Sequence, residues 1–155
     1  MKIQIKINGL DKKLEIEPHE YLLDVLRRNG YLSVKRGCNT TSCGVCTVLM
    51  DGSPVLSCAM LAARAEGHHI TTVEGIQEEA KKFGAYLVGE GSDQCGFCSI
   101  GLVLTVIAMK NEFSQKGIAA PTDEQINHYL AGNLCRCSGY VGQLRAIRKY
   151  LEVEA

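Results

Sequence analysis

Eight of the 155 residues are cysteines, and they fall into two groups of four. Cys38, Cys43, Cys46 and Cys58 form a C-x4-C-x2-C-x11-C run; Cys95 and Cys98 form C-x2-C, and Cys135 and Cys137 form C-x-C further on. The first run has plant-type [2Fe–2S] ligand spacing, with three thiolates from one tight loop and a distant fourth. Each such cluster takes four thiolates, so eight cysteines serve two clusters, and two clusters in one small chain point to electron transfer. A thiolate-held cluster brings a charge of about −2 into the protein. Gly37 and Gly44 suit a loop that turns its backbone N–H groups toward that charge, because glycine accepts positive φ and close backbone approach. Structural zinc is the alternative, but it normally uses two C-x2–4-C pairs, which this run fits poorly.

The second group is less decisive on spacing alone. A C-x2-C pair with a C-x-C pair suits zinc as well as iron–sulfur, and both readings stay open at this point. Its place beside the first group favours iron–sulfur. Cys98 and Ser99 stand at an expected helix start, with Ser99 available as its cap, where free N–H groups and the dipole favour an anion. Gln94 adjoins Cys95 and carries an amide that could meet a polar cofactor; a solvated loop residue is the bland alternative.

The elements that must position these cysteines can be read from the apolar periodicity. Residues 2–7 alternate Lys or Gln with Ile, the period of a half-buried strand. Asn8-Gly9 marks a turn, and Leu14-Glu15-Ile16 resumes the alternation as a hairpin partner. Leu22, Leu23, Val25 and Leu26 have helical spacing ahead of a stop at Gly30. Thr47–Met50, a turn at Asp51-Gly52, and Val55-Leu56 form a second hairpin, and residues 70–73 could close the sheet. These make an α+β unit over residues 1–74. From residue 75 to 155 the pattern is helical: helices are expected over 80–88, 99–110, 122 to about 132, and 141–151. Thr122 and Gln125 have the capping-box arrangement.

Hydrophobic residues at 46% and charged residues at 22% suit a globular chain, and zero net charge gives no broad pull toward nucleic acid. No apolar run approaches the roughly 20 residues that span a bilayer. The N-terminus reads as a strand rather than a signal peptide, so the expectation is a cytoplasmic protein whose thiols bind metal rather than pair as disulfides. No nucleophile–base set, phosphate loop or paired catalytic carboxylates are visible, so no independent substrate site is expected. His68 and His69, adjacent at a strand entrance, point to opposite faces and read as surface residues.

The residues around the cysteines carry a resemblance. Ser33-Val34-Lys35-Arg36-Gly37-Cys38, Cys43-Gly44-Val45-Cys46-Thr47-Val48-Leu49 and Asp51-Gly52 carry it in the first half. In the second half it rests on Gln94-Cys95-Gly96-Phe97-Cys98 and on Gly132-Asn133-Leu134-Cys135-Arg136-Cys137-Ser138-Gly139-Tyr140. Over essentially its full length the chain resembles the small [2Fe–2S] subunit of the molybdenum hydroxylases, the xanthine dehydrogenase and aldehyde oxidoreductase family. The resemblance implies a ferredoxin-like β-grasp domain followed by an all-α four-helix-bundle [2Fe–2S] domain. It implies an oxidoreductase subunit that relays electrons from a molybdopterin centre through two [2Fe–2S] clusters to FAD or another acceptor.

Molybdopterin and FAD would belong to a large molybdopterin-binding subunit and an FAD-binding subunit, within a dimer of heterotrimers. Gln94 and Cys137 would contact the molybdopterin. Three stretches depart from the family pattern: Ser99-Ile100-Gly101 replaces Thr-Pro-Gly, Lys81-Lys82-Phe83-Gly84 replaces His-Pro-x-Gln, and Thr41 stands where glycine is usual. A zinc-stabilised binding or assembly module, or a free-standing ferredoxin-type carrier, is the rival reading.

Overall fold

The computed structural model describes residues 1–152; residues 153–155, the end of the expected helical unit, lie outside the described residues. Strand β1 (Lys2–Ile7) buries Ile3, Ile5 and Ile7 and exposes the residues between them, as a period of two demands. It pairs antiparallel with β2 (Leu10–Glu15) across Asn8-Gly9, whose φ angles are 51° and 84°. That left-handed pair matches the twist of a two-residue hairpin. Asp51 and Gly52, at 49° and 84°, do the same between β3 (Thr47–Met50) and β4 (Ser53–Leu56).

The expected strand near Ile70 forms as β5 (His69–Thr71), but it stands inside the sheet rather than closing it. The order is β2-β1-β5-β3-β4, with β5 parallel to β1 and antiparallel to β3. Ile70, fully buried, is the reason a short strand takes the centre. Helix α1 (Leu22–Arg28) lays Leu22, Leu23, Val25 and Leu26 on this sheet, giving one core with Val48 and Ile70. Gly30 at φ 91° ends it, and the Tyr31 N–H returns to the Leu26 carbonyl at 3.1 Å, a glycine helix stop.

The second half holds α2 (Gln77–Gly89), α3 (Ser99–Gln115), α4 (Asp123–Tyr129) and α5 (Val141–Tyr150). They bury a separate core that includes Phe83, Val106, Met109, Ile126 and Ile147. The α+β fold is therefore a β-grasp sheet followed by four helices. The capping box forms: the Thr122 hydroxyl accepts from the Gln125 N–H at 3.2 Å, and the Gln125 amide accepts from the Thr122 N–H at 2.8 Å. Helix α4 ends at Tyr129 rather than near Gly132, because the following residues leave it to pack on the first cysteine loop. Ser99 is not a cap. It is the first helical residue, and its hydroxyl donates to Asp93 at 2.8 Å, while Cys98 takes the N-cap place.

The halves join through Leu49 of β3, which packs on Leu104 and Ala108 of α3, and through a polar knot. Asn8 bonds Thr72 twice, donating to its hydroxyl and accepting from its N–H, both at 2.9 Å. Glu74 accepts from the Thr72 hydroxyl at 2.5 Å, the Ser33 hydroxyl at 2.6 Å and the Ser33 N–H at 3.2 Å. Burial would raise the Glu74 carboxyl, but the Ser33 and Thr72 hydroxyls outweigh it and hold it below its ordinary value. Glu74→Ala should cost about 2 kcal/mol in chemical denaturation at neutral pH, the loss of charge-assisted hydrogen bonds. A depressed carboxyl stabilises above its unfolded value and loses that contribution as pH falls through its folded value. The two proteins should therefore converge in stability below the ordinary carboxylate range, and a constant difference down to strong acid would refute this.

Candidate metal centres

The first quartet sits in the loop that links α1 to β3, with Cys58 supplied just beyond β4. Cys46 and Cys58 are buried with their sulfurs 3.2 Å apart. The Ser57 hydroxyl donates to the Cys46 carbonyl at 2.7 Å and ties the two ligand-bearing segments together. Cys38 and Cys43 are half-buried. The Cys43 thiol, then the backbone N–H groups of Ser42, Thr40 and Cys43, bring the Cys38 thiol down to about 6. Burial, and then Cys46, push Cys58 up to about 12. The sulfurs thus stand two and two, an outer pair (Cys38, Cys43) and an inner pair (Cys46, Cys58).

The arrangement suits two irons better than one zinc. Two tetrahedral irons bridged by sulfide need two thiolates each, and the inward N–H groups at Cys38 offset the cluster's charge. A structural zinc draws four ligands to one point, whereas these sulfurs stand as two pairs. The loop is close-fitting: a Cβ on Gly37 would come 3.1 Å from Cys43 Sγ and 3.1 Å from Val45 Cγ2. Thr41 holds φ 55°, strained for a β-branched residue by about 1–3 kcal/mol. The Thr40 and Ser42 hydroxyls, 2.8 Å apart, brace the turn around it.

The second quartet repeats the two-and-two pattern on helix ends. Cys95 and Cys137 are exposed, with sulfurs 3.5 Å apart. Cys98, at the start of α3, hydrogen-bonds the buried Cys135, which follows α4. Burial, followed by Cys135, pushes Cys98 up to about 12. Burial opposes the ionisation of Cys135 too, but the Ser138 hydroxyl at 3.2 Å and the N–H groups of Ser138 and Cys137, both at 3.4 Å, bring it down to about 7. Tyr140 closes the loop at φ 69°, its hydroxyl accepting from the Cys135 N–H at 3.0 Å. Gln94 is exposed beside Cys95. Phe97 and Leu134, both exposed apolar side chains, stand among the cysteines of the cavity between the two groups.

The quartets meet. The Leu134 N–H donates to the Cys43 carbonyl at 3.0 Å, so one hydrogen bond links a residue of the first group to the neighbour of Cys135. A cavity of about 340 Å³ between them is lined by Cys38, Cys43, Cys95, Cys98, Cys135 and Cys137. Lys35 Nζ lies 5.1 Å from the centroid of the Phe97 ring across the same seam. Two glycines permit the approach: Gly44 packs against the Gly132 carbonyl and Asn133, and Gly101 against the Gly44 carbonyl. The sequence reading found Gly44 as a loop glycine but not this contact, nor the roles of Ser138 and Tyr140. The two histidines are accounted for locally: His68 pairs with Asp51 at 2.5 Å, and His69 accepts from the Gly9 N–H at 3.2 Å.

Known proteins share the chain's sequence and fold. Residues 5–72 match the family described as "2Fe-2S iron-sulfur cluster binding domain", and residues 72–148 match the "[2Fe-2S] binding domain". The "Nicotinate dehydrogenase small FeS subunit" of Eubacterium barkeri is 39% identical over 97% of this chain and 94% of its own length. The chain belongs to the small [2Fe–2S] subunit family of the molybdenum hydroxylases. A second member of this family, the "Xanthine dehydrogenase iron-sulfur-binding subunit" of Escherichia coli, is 44% identical over 89% of this chain and 86% of its own. A chain in the crystal structure of quinoline 2-oxidoreductase from Pseudomonas putida 86 superposes with a TM-score of 0.86 at 36% identity, covering 98% of this chain and 94% of that one. This small [2Fe–2S] subunit is thus the electron-transfer component of an oxidoreductase complex with larger partner subunits, and its cofactors are two [2Fe–2S] clusters. No helix among its described residues is long and apolar enough to cross a membrane.

Proposed function

We propose that Cys38, Cys43, Cys46 and Cys58 hold one [2Fe–2S] cluster in a unit of residues 1–74. Cys95, Cys98, Cys135 and Cys137 hold the other in a unit of residues 75–155. Within each quartet the pairs assign the irons: Cys38 with Cys43 and Cys46 with Cys58; Cys95 with Cys137 and Cys98 with Cys135. The clusters supply one-electron storage and transfer. The chain's own residues bind them, exclude water from the inner sulfurs and hold the two sites in register. What supports this reading is the Leu134 N–H bond to the Cys43 carbonyl, which joins the segments that carry the two cysteine groups.

The exposed end of the second site is the docking face for the large molybdopterin-binding subunit. Gln94 donates to the pterin, and Cys137 is the ligand nearest to it. The exposure of both residues supports this. On the same reading an FAD-binding subunit approaches the first site, the complex is a dimer of heterotrimers, and the setting is cytoplasmic, where eight free thiols favour metal over disulfide. Anaerobically purified protein should contain about four iron and about four acid-labile sulfide per chain and show two distinct electron paramagnetic resonance signals on reduction. Colourless protein carrying zinc would refute the assignment. Purification from its source should bring down a molybdopterin-containing chain, and isolation alone would favour a free-standing carrier.

A further inference from the structure

Three hydrogen bonds close a circuit through residues 135–140, and the last of them ends on a sulfur. The Cys135 N–H donates to the Tyr140 hydroxyl at 3.0 Å, and the Tyr140 N–H donates to the Ser138 hydroxyl at 3.2 Å. The Ser138 hydroxyl in turn lies 3.2 Å from the Cys135 Sγ. Tyr140 holds φ 69°, a left-handed backbone that costs a residue other than glycine about 1–3 kcal/mol and persists only where its surroundings over-determine it. In that conformation its N–H meets Ser138.

The circuit fixes where the Ser138 proton goes. The Tyr140 N–H occupies the acceptor side of the hydroxyl, and a ligating thiolate carries no proton of its own, so within the pair only the serine can donate. The bond it accepts also polarises the hydroxyl and strengthens the bond it gives. The N–H groups of Cys137 and Ser138 reach the same sulfur, both at 3.4 Å. Of the three donors the hydroxyl is the nearest, and the only one that a side-chain substitution removes. At the first cysteine group the neighbouring hydroxyls are engaged elsewhere, Ser57 with the Cys46 carbonyl and Thr40 with Ser42. We propose that the Ser138 hydroxyl donates to the Cys135 sulfur of the second cluster and raises that cluster's reduction potential. The inference rests on the ligand assignment above. Reduction adds one electron and makes the cluster more negative; no bond forms or breaks, and the hydroxyl keeps its proton. A fixed donor therefore favours the reduced state over the oxidised one.

The test is a redox titration of the intact protein followed by electron paramagnetic resonance, on wild type, Ser138→Ala, Ser138→Thr and Tyr140→Phe, each checked for iron content. At the wild-type midpoint of the second cluster, its reduced-to-oxidised ratio should fall about tenfold in Ser138→Ala, equivalent to about 59 mV for one electron. Ser138→Thr keeps the hydroxyl and should restore the wild-type midpoint. Tyr140→Phe opens the circuit but leaves the serine and its N–H partner in place, so it should shift the midpoint less than the alanine does. The ferredoxin-type cluster, as internal reference, should not move in any variant. An unchanged midpoint in Ser138→Ala, an equal shift in Ser138→Thr or Tyr140→Phe, or equal shifts of both clusters would overturn the proposal. So would a Ser138→Ala protein that keeps only the ferredoxin-type cluster, because Ser138 would then hold the loop rather than tune the potential. A single paramagnetic signal in wild type would instead overturn the cluster assignment, and this inference with it.

Discussion

Cys46→Ser is expected to leave the chain with about two iron atoms instead of about four, and with one paramagnetic signal instead of two. Cys46 is buried, 3.2 Å from Cys58 and clamped by the Ser57 hydroxyl. A serine hydroxyl there is a poor replacement, because cluster irons are held by thiolate and the hydroxyl does not ionise near neutral pH. The inner iron would keep Cys58 alone, in a pocket whose burial already disfavours a lone thiolate. Metal binding contributes directly to folding free energy, so thermal unfolding of the sheet half should move to lower temperature. The helical half has its own core and four cysteines of its own, so its signal should persist. Retention of all iron would show that Cys46 is not a ligand; loss of both clusters would show that the sites do not assemble independently.

How much of this could be read from the chain depended on how local each interaction is. The Ile3, Ile5 and Ile7 face, the Asn8-Gly9 turn and the Thr122–Gln125 box act within a few residues, and all three were legible. So were the eight cysteines as candidates, because ligand spacing is itself a local pattern. The central place of β5 was not, since it is set by pairing with β1 more than sixty residues away. Ser138 and Tyr140 stood only as part of the motif that carries the resemblance, and it is the closed turn that brings the Ser138 hydroxyl to the Cys135 sulfur and the Tyr140 hydroxyl to the Cys135 N–H. The three departures resolve differently. Thr41 accepts the left-handed backbone that glycine would take freely. Ser99-Ile100-Gly101 changes how α3 begins, with Cys98 at the N-cap. Of Lys81-Lys82-Phe83-Gly84, only Phe83 enters the core.

Gly101 gives the second large effect, and its sign is opposite to what the sequence suggests. In a helix interior, Gly→Ala normally stabilises by about 1 kcal/mol. At Gly84, in α2, nothing lies within 4 Å of an added Cβ, and Gly84→Ala should show that gain. At Gly101 the added Cβ would run into the Gly44 carbonyl oxygen and stand 3.1 Å from the Gly44 carbonyl carbon and the Val45 Cα. These are backbone atoms of the first cysteine loop, between Cys43 and Cys46, and they cannot swing aside as a long side chain would. Overpacking of this kind costs about 1–3 kcal/mol or more, which outweighs the propensity gain. Gly101→Ala should therefore lower the denaturation midpoint while Gly84→Ala raises it. The strain falls on the seam that the Leu134 N–H and Cys43 carbonyl close at 3.0 Å, so relief requires the two cysteine groups to part. The magnetic interaction between the two reduced clusters should weaken in Gly101→Ala and stay unchanged in Gly84→Ala. Equal stabilisation by both substitutions, with the magnetic interaction intact, would mean that the glycine contact does not set the spacing of the two centres.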